Sequence, residues 1–305
     1  MPELPEVQTT VSGLNRTVVG LKILDVWTNY NSPFHANKDN IKNPKFFREF
    51  KKKTIGQKIL KAERRAKNIL IHLSSNQTIL IHMKMTGHLL YGQYKHDKKN
   101  DKWAPSVNGP LGDSFNSFIR LVFSLSNGKH LALSDMRRFA KATIIDTDKL
   151  EDSLHLEKLG PEPLDPNFEL SAFSLQLKKR PKGKVKQVLM DKSTISGIGN
   201  IYSDEILWRA SVHPLSRVEK IPEKNLKRMF KATKETLLKG IDFGGDSMSD
   251  YRNIFGKKGK FQDHHQVYRR TGKKCAKRGC RGVIERTIVG ARSAHFCPIH
   301  QLLYV

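Results

Sequence analysis

The sequence predicts an α+β protein of two domains, rich in strands over its first 150 residues and helical after them. Two observations lead to this prediction. Apolar runs rich in β-branched residues, separated by turn-forming residues, crowd the first half of the chain. Beyond a proline-rich segment, apolar residues recur instead at the three- and four-residue spacing of a helix. The length of 305 residues also suits two domains.

The charge of the chain indicates its class of partner. The sequence holds 55 Lys and Arg against 29 Asp and Glu, a formal net charge of +26. A surplus of this size repels itself unless it meets an anionic polymer, so nucleic acid is the first candidate. The alternatives are a basic protein without such a partner, or one associated with ribosomes. No uncharged apolar run approaches the ~18 residues of a membrane span, and we see no secretory signal, so we expect a cytosolic protein with no membrane partner.

The first predicted element is a helix close to the N-terminus. Val7, Val11 and Leu14 follow the i, i+4, i+7 spacing of one helix face. Pro5 suits a first helical turn, where its missing N–H costs nothing.

Two predicted β-hairpins follow in the first half of the chain. Residues 68–73 and 78–83 are β-branched apolar runs joined by a polar turn. Residues 118–124 and 129–134 form a second pair, and Asn127-Gly128 between them tolerates the positive φ angles of a tight hairpin.

Two irregular segments separate these elements from the helical half. Residues 92–117 are rich in Lys, Asn, Asp, Gly, Pro and Ser and show no periodicity, which predicts a long surface loop. Residues 160–166 hold three prolines in seven positions, which predicts a stiff linker.

The helical half contains one strongly patterned segment. Leu226, Met229, Phe230, Thr233 and Leu237 step by three or four along one face, with basic residues between them. This pattern predicts a helix with a core stripe and a solvated basic face.

The N-terminus carries the first candidate for catalysis. Removal of Met1 would leave Pro2 with a free secondary amine, and an α-amine has a reference pKa near 8, so a useful share is deprotonated at neutral pH. Such an amine attacks electrophilic carbons and forms iminium intermediates. Glu3 and Glu6 lie beside it and could handle protons. The alternative is an ordinary helix start, where carboxylates oppose the helix dipole.

The three cysteines predict a metal site. Cys275 and Cys280 are followed, after a hairpin-length interval, by Cys297 and His300. Two such close pairs are typical of a tetrahedral Cys3His zinc site of structural type, because four protein ligands leave no open position. Free cytosolic thiols are the alternative.

Two further motifs suit nucleic-acid binding. A glycine turn at 197–199 leads into a predicted helix beginning near Asn200, a geometry that favours phosphate, although a plain tight turn explains it equally well. Met85, Arg137 and Phe139 are residues of the kinds that proteins insert between base steps or into a vacated stack, although for each residue taken alone the pattern favours core packing.

In order along the chain, these segments resemble the bacterial formamidopyrimidine-DNA glycosylases, a family shared with endonuclease VIII. The matching segments extend from the first residues of the chain to the last cysteine. They comprise Met-Pro-Glu-Leu-Pro-Glu-Val at 1–7, Arg-Arg-Ala-Lys at 64–67, His-Met-Lys-Met-Thr-Gly at 82–87, Arg-Arg-Phe at 137–139, Leu-Gly-Pro-Glu-Pro-Leu at 159–164, Leu-Met-Asp at 189–191, Gly-Ile-Gly-Asn-Ile-Tyr at 197–202, and Arg292 before Cys297.

The resemblance implies a more detailed fold. The family has an N-terminal β-sandwich with flanking helices, a linker, a helix–two-turn–helix module and a zinc β-hairpin finger. Mapped onto this chain, the sandwich spans residues 1–150, the linker 151–166, the helical DNA-binding domain 167–262 and the finger 263–305. The residues from Ser247 to Phe261 fall where the family carries a loop over the extruded base, and Gly256 and Gly259 could allow it to move.

The resemblance also implies an activity: a DNA-formamidopyrimidine glycosylase and a lyase for apurinic or apyrimidinic sites, acting in base excision repair. The damaged nucleotide is rotated out of the duplex. Pro2 nitrogen then attacks the sugar C1′, and β- and δ-elimination cut the strand. Glu3 would act on the sugar ring and Glu6 would support the pocket.

The remaining roles concern DNA binding. The phosphate-gripping positions match Lys67, which we place with the catalytic set, and His82, Asn200 and Arg292. The residues that fill the gap left by the extruded base match Met85, Arg137 and Phe139. The expected partner is double-stranded DNA with oxidised bases or abasic sites, bound by a monomer at the nucleoid, with one structural Zn²⁺.

Substrate preference follows from small differences. Leu4 and a complete Met–Arg–Phe trio favour oxidised purines, 8-oxoguanine and formamidopyrimidines. The alternatives are an enzyme that prefers oxidised pyrimidines, as endonuclease VIII does, or a non-catalytic binder of damaged DNA if Met1 is retained. The sequence departs from the family in its Cys–x4–Cys pair, in His300, in a longer 92–117 segment and in Gln8.

Overall fold

Two four-stranded antiparallel sheets form the centre of the N-terminal part of the molecule. In a computed structural model that describes residues 1–305, the first sheet has the order β1-β8-β9-β5 and the second the order β10-β4-β3-β2. The strands are β1 Ile23–Thr28, β2 Ile59–Arg65, β3 Asn68–Leu73, β4 Gln77–His82, β5 His88–Gly92, β6 Tyr94–Asp97, β7 Lys102–Pro105, β8 Ile119–Leu125, β9 His130–Ser134 and β10 Lys141–Asp146.

The chain divides into two compact units. One contains Met1–Glu157 together with Phe243–Lys260, and the other contains Lys158–Asp242 together with Phe261–Val305. We call Phe243–Lys260 the return segment, because it rejoins the N-terminal unit after an excursion through the second unit. The division into four segments expected from the sequence stays a prediction.

Both sheets of the N-terminal unit face one apolar core. Alternate residues of β3, such as Ile69 and Ile71, point into it, as do Leu121 and Phe123 of β8. Successive side chains of a strand point to opposite faces, so alternate residues reach this core, and the other face of β3 is buried as well. Both hairpins predicted from the sequence are confirmed, because β3 pairs with β4 and β8 with β9.

Two helices flank the sandwich. Helix α1, Leu4–Thr17, confirms the predicted N-terminal helix and buries Val7, Val11 and Leu14 completely or nearly so. Helix α2, Pro44–Thr54, has Asn43 as its N-cap, whose side chain accepts a hydrogen bond from Lys45 N–H, and it buries Phe50.

The segment 92–117, which we call the insert, corrects the prediction of a structureless loop. Its first half forms an antiparallel hairpin of β6 and β7. Its two strands are too short for an alternating pattern to be detected in the sequence. Aromatic contacts stabilise the hairpin, because the rings of His96 and Trp103 stack 4.8 Å apart and the Trp103 ring lies 5.0 Å from that of His130. Its second half contains two single-turn 3-10 helices, Pro110–Gly112 and Ser114–Asn116.

The C-terminal unit is helical at its start. Its helices are α3 Leu170–Lys178, α4 Val185–Met190, α5 Asn200–Ala210 and α6 Glu223–Asp242. Helix α6 confirms the predicted stripe, since Leu226, Met229 and Leu237 are buried. An aromatic cluster joins α3 to α6, with Phe173 5.6 Å from Phe230 between ring centres.

The C-terminal unit ends in a β-hairpin and contains the proline-rich segment. Strands β11 Glu285–Val289 and β12 Arg292–Phe296 pair antiparallel. The expected linker packs closely: Gly160 N–H donates to Lys192 O at 2.8 Å, and a Cβ at Gly160 would lie 2.7 Å from Ser193 O. None of the helices is both long and apolar enough to span a bilayer.

Candidate active site

The N-terminus is held by a reciprocal cap at the start of α1. Glu3 N–H donates to Oε2 of Glu6 at 2.7 Å, and the Glu3 side chain accepts a hydrogen bond from the backbone N–H of Glu6. This capping box satisfies two N–H groups that a helix start leaves without partners. Pro2 is buried, and its nitrogen lies in the peptide bond to Met1, which is 42% exposed.

The Glu6 carboxylate is fixed from a second side by the return segment. Its Oε1 accepts a hydrogen bond from Asp246 N–H at 2.7 Å, while the Tyr251 hydroxyl donates to the Glu6 backbone carbonyl at 3.0 Å. Glu6 is only 2% exposed. Both carboxylate oxygens therefore have defined partners. The sequence did not predict the contacts with the return segment, since Asp246 lies 240 residues away along the chain.

A cavity of about 570 Å³ lies beside this N-terminus. Met1, Met85, Arg137 and Phe139 all line it, so the fold brings the chain end and three predicted DNA-contacting residues to one place. Cationic side chains also line the cavity, and positive charges around a cavity concentrate anions near it. These cationic residues are Lys42, Lys84, Arg138 and Lys141.

Arg137 and Phe139 project from the loop between β9 and β10. Phe139 is 47% exposed, and the Arg137 guanidinium carbon lies 4.7 Å from the centre of its ring. A large aromatic ring left exposed under a stacked cation is unusual for a residue whose role is only packing. The pair is therefore available to a planar partner such as a nucleobase.

Asp135, which sequence reasoning missed, holds this loop in place. Its carboxylate is fully buried and accepts hydrogen bonds from the Tyr30 hydroxyl at 2.8 Å, Thr86 Oγ1 at 2.5 Å and Ala140 N–H at 2.7 Å. Thr86 Oγ1 in turn accepts a hydrogen bond from Arg137 N–H at 3.0 Å. Burial and the neighbouring Asp135 carboxylate raise the pKa of Tyr30, so its hydroxyl stays a donor.

His82 and Lys67 lie at strand ends of the second sheet. Lys84 N–H donates to Nδ1 of His82 at 3.0 Å, which leaves Nε2 as the nitrogen that carries the proton. Burial and the nearby Lys84, Lys67 and Lys141 lower the pKa of His82 to about 3. His82 is therefore a neutral hydrogen-bond donor, and Lys67, half-buried at the β2–β3 turn, supplies the positive charge.

The other two predicted DNA-contacting residues belong to the C-terminal unit. Asn200 is the first residue of α5, with Gly199 as the N-cap, and its Oδ1 has no hydrogen-bond partner. Arg292 is exposed at the first position of β12, directly after a tight turn. Gly290 and Ala291 have φ angles of 56° and 59° in that turn, as a type I′ hairpin requires.

A buried ion network connects the helix that carries Asn200 to the hairpin that carries Arg292. Asp204 of α5 accepts from Lys186 Nζ at 2.5 Å through one oxygen, and from the backbone and ring N–H of His295 at 3.0 Å through the other. The side chains of Lys186 and Asp204 are fully buried. No local sequence pattern indicates this network, because its three members lie on α4, α5 and β12.

The four predicted metal ligands lie together. Their ligand atoms all fall within 4.8 Å of one another, with Cys275 Sγ 3.2 Å from His300 Nδ1 and Cys280 Sγ 3.6 Å from Cys297 Sγ. These separations are close to the edge of a tetrahedron with metal–sulfur bonds of about 2.3 Å. Nε2 of His300 contacts Trp208 O at 3.0 Å, which orients the imidazole with Nδ1 toward the cluster. The group can therefore hold a metal ion.

The predicted residues thus divide between the units, and each unit has a coherent set. The N-terminal unit holds Pro2, Glu3, Glu6, Lys67, His82, Met85, Arg137 and Phe139, and the C-terminal unit holds Asn200, Arg292 and the four metal-ligand candidates. Their individual roles stay predictions.

Comparison with known proteins identifies the family. Residues 1–142 match the formamidopyrimidine-DNA glycosylase N-terminal domain, and residues 159–252 match the H2TH domain of the same enzymes. The chain is 33% identical over 308 residues to a formamidopyrimidine-DNA glycosylase of Pelotomaculum thermopropionicum, with 99% of each chain covered.

Solved structures agree with this result. The fold matches the Lactococcus lactis Fpg in complex with DNA containing an abasic site, with a TM-score of 0.82, 29% identity, and 98% and 99% of the two chains covered. A complex of a mutant of that protein with Fapy-dG-containing DNA matches equally well, at TM-score 0.82 and 29% identity over the same shares. The chain therefore belongs to the formamidopyrimidine-DNA glycosylase family.

Proposed function

We propose that this DNA glycosylase is bifunctional: it excises oxidised purines, chiefly 8-oxoguanine and formamidopyrimidines, and then cleaves the strand at the resulting abasic site. The single observation that carries the proposal is the capped Met1-Pro2-Glu3 terminus beside the cavity lined by Met85, Arg137 and Phe139. A nucleophile and residues suited to replace an extruded base thus lie together.

The nucleophile is the nitrogen of Pro2. Met1 blocks it while the peptide bond between them is intact, and Met1 itself lines the cavity. Removal of Met1 opens this position and leaves a secondary amine, which is partly deprotonated at neutral pH. Its lone pair then attacks C1′ of the deoxyribose, and the bond from C1′ to the base breaks as the base leaves with a proton. The amine loses its own proton, and the C1′–O4′ bond of the sugar ring opens as O4′ takes up a proton, which leaves an iminium between Pro2 nitrogen and C1′.

The two carboxylates transfer protons to and from the sugar and hold the N-terminus in position. Glu3, 3% exposed, acts as the acid and base on the sugar ring, and Glu6 supports the terminus through its two opposed hydrogen bonds. Successive β- and δ-elimination from the iminium cut the strand on both sides of the sugar.

The phosphate contacts come from both units. In the N-terminal unit, Lys67 and the neutral His82 bind phosphate groups of the DNA. In the C-terminal unit, Asn200 and Arg292 do so. Phosphate contacts fix the position of the protein on the duplex without distinguishing one base sequence from another. The formal charge of +26 adds non-specific affinity, so binding falls as salt rises.

Cys275, Cys280, Cys297 and His300 would hold Zn²⁺ in a structural role. The donor set and separations fit a closed tetrahedral site. Zn²⁺ supplies no reaction step here. Its ligands stabilise the hairpin that presents Arg292.

A second candidate is preference for oxidised pyrimidines. The features in its favour are the Cys–x4–Cys pair of the finger and the 92–117 insert, the two places where the sequence departs most from the pattern of the family it resembles. Comparison of turnover on 8-oxoguanine paired with cytosine against thymine glycol and dihydrouracil separates the two, because faster excision of the pyrimidines would replace the first candidate.

Borohydride trapping tests the mechanism. The protein lacking Met1 is expected to form a covalent adduct with an 8-oxoguanine duplex, because borohydride reduces the iminium to a stable amine. Pro2→Gly is expected to abolish the adduct formed through the secondary amine, and mass spectrometry of the terminus shows whether Met1 is removed. An adduct that survives Pro2→Gly with undiminished yield would falsify the assignment of the nucleophile, and a retained Met1 would favour a non-catalytic binder.

A further inference from the structure

Two irregular parts of the N-terminal unit meet at a buried arginine. Arg252 of the return segment is 1% exposed, and its Nε and Nη2 donate to the two oxygens of Asp113 in the insert, at 3.1 and 3.2 Å. Its Nη1 donates to the carbonyls of Ser249 and Tyr251 at 3.0 and 2.9 Å. The Phe115 ring lies 4.8 Å from the guanidinium carbon.

This ion pair is of the kind that matters to stability. Exposed pairs contribute little, whereas a buried charge left alone is strongly destabilising, so burial of a guanidinium requires a complete set of partners. Although burial alone would raise the pKa of Asp113, the Phe115 N–H and the Arg252 guanidinium hold it below its usual range. The carboxylate therefore stays charged, and the insert neutralises an arginine that the return segment buries.

A second contact joins the same two parts. Asn116 of the insert is 1% exposed, and its Nδ2 donates to Pro110 O at 2.8 Å and to Gly256 O at 3.4 Å. Its Oδ1 accepts from Nε2 of His88 at 2.9 Å. Gly256 has a φ of +79°, and a Cβ there would lie 2.7 Å from Pro110 O. This glycine therefore permits close approach of the two backbones.

The other side of the return segment contacts the start of α1 and the core. Asp246 N–H and the Tyr251 hydroxyl both donate to Glu6. Ile254 is 1% exposed within the apolar core, and its carbonyl accepts from Tyr91 N–H of β5 at 2.7 Å. The return segment thus lies between the insert and the Glu6 carboxylate, with specific contacts to each.

We propose that the insert is a brace that fixes the return segment for base excision, with Asp113 and Asn116 as its positioning residues. The inference rests on the proposed function, and on the expectation from the family resemblance that the residues from Ser247 to Phe261 lie over the extruded base. A segment without helix or strand opens locally at low cost unless side chains anchor it. The brace supplies that anchor before DNA binds, so binding the base does not need to order the segment.

The brace has a test that separates it from a general stabilising role. Asp113→Asn keeps the size of the side chain and removes the charge that Arg252 requires. The single-turnover rate of 8-oxoguanine excision is expected to fall about tenfold or more, because small misplacements of a positioning group carry costs of this order. Cleavage of a preformed abasic site is expected to stay unchanged, because it has no base to position and Glu6 keeps its bond from Glu3 N–H.

Hydrogen exchange supplies a readout independent of activity. In Asp113→Asn, the amides of residues 251–256 are expected to lose protection while those of β8 and β9 keep theirs. Asp101→Asn is the matched control, because Asp101 lies in the same insert but pairs with His96 and Trp27 rather than with the return segment. Phe115→Leu, which removes only the ring beside Arg252, gives a milder change in the same direction if Asp113→Asn folds poorly.

The outcomes distinguish the brace from the proposed function. Selective loss of excision, with loss of protection at 251–256, supports the brace. Unchanged excision, or an equal fall in excision and abasic-site cleavage, overturns it. A wild-type protein that forms no borohydride adduct and cleaves neither substrate overturns the proposed function, and the positioning role with it, even where the exchange pattern is as expected.

Discussion

The two units bury their interiors differently. The N-terminal unit closes two sheets and α1 around a continuous apolar core, in which residues such as Ile79, Leu121 and Leu133 are fully buried. The C-terminal unit, besides its aromatic cluster, buries charged groups: Lys186 and Asp204 are fully buried, and Glu205 accepts the backbone N–H groups of residues 266–268 at 2.9–3.1 Å.

This difference has a physical consequence. Apolar burial is non-directional and tolerates small shifts, so the apolar core of the N-terminal unit resists the loss of any one contact. Buried charges and metal ligands are directional, and loss of one partner leaves the others unsatisfied. The metal cluster and the buried ion network of the C-terminal unit should therefore fail locally and sharply, and the apolar core of the N-terminal unit gradually.

Metal removal is expected to have the largest effect. Structural zinc in small fingers contributes an apparent ~10–16 kcal/mol, so Cys297→Ser or chelation should unfold the finger. Hydrogen exchange should show lost protection over residues 273–301, with the amides of β3 and β4 unaffected, and DNA binding should weaken. His300→Cys is the matched control, because a thiolate can replace the imidazole. Retained protection in a metal-free protein would contradict a structural role.

Breaking the Lys186–Asp204 pair is expected to have the next largest effect. Lys186→Met leaves a buried carboxylate short of one partner, which typically costs about 3–5 kcal/mol. The free energy of opening measured by exchange of the α5 amides should fall by that amount, with the N-terminal sheets unchanged. Lys182→Met, at an exposed lysine four residues earlier, should have almost no effect. Equal effects of the two substitutions would show that the buried ion pair does not stabilise α5.

Acid is expected to have the smallest effect, and His88 is one group of the N-terminal unit through which it acts. Burial lowers the pKa of His88, so this imidazole is neutral when folded, while the unfolded chain takes up a proton near its ordinary pKa of about 6.5. Stability from this group is complete above that pH and falls as the pH drops below it, by at most about 1.4 kcal/mol per pH unit.

His88→Gln tests this expectation through the urea midpoint of the N-terminal unit between pH 8 and pH 5. The variant should show a shallower slope than the wild type, and not a flat one, because burial also lowers the pKa of His72 and of His82 in the same unit. Identical slopes would mean that His88 does not contribute to the acid sensitivity.

Much of the fold could be predicted from the sequence because the patterns are local. The helix face at Val7, Val11 and Leu14 and the two long hairpins each depend on residues within a few positions of one another. The insert was interpreted as a structureless loop because β6 and β7 have four residues each, too few to show alternation. Their hairpin depends on rings from elsewhere, such as His130 on β9.

The candidate site shows the same division. The cysteine spacing predicted the cluster, and the N-terminal motif predicted Pro2, Glu3 and Glu6 as a group. The partners that hold such groups in place were not predicted. Asp135 meets Tyr30 across 105 positions, and Arg252 meets Asp113 across 139.

What the sequence determined by itself is the set of reactive and ligating groups, together with the local elements that carry them. These follow from periodicity, turn chemistry and close spacing, which act over a few residues. Only the tertiary structure decided which side chains hold those groups: the brace on the return segment, Asp135 beneath Arg137, and Asp204 between α5 and the hairpin. Hydrogen bonds and buried ion pairs form between residues distant along the chain, so their partners are set by how the strands and helices pack.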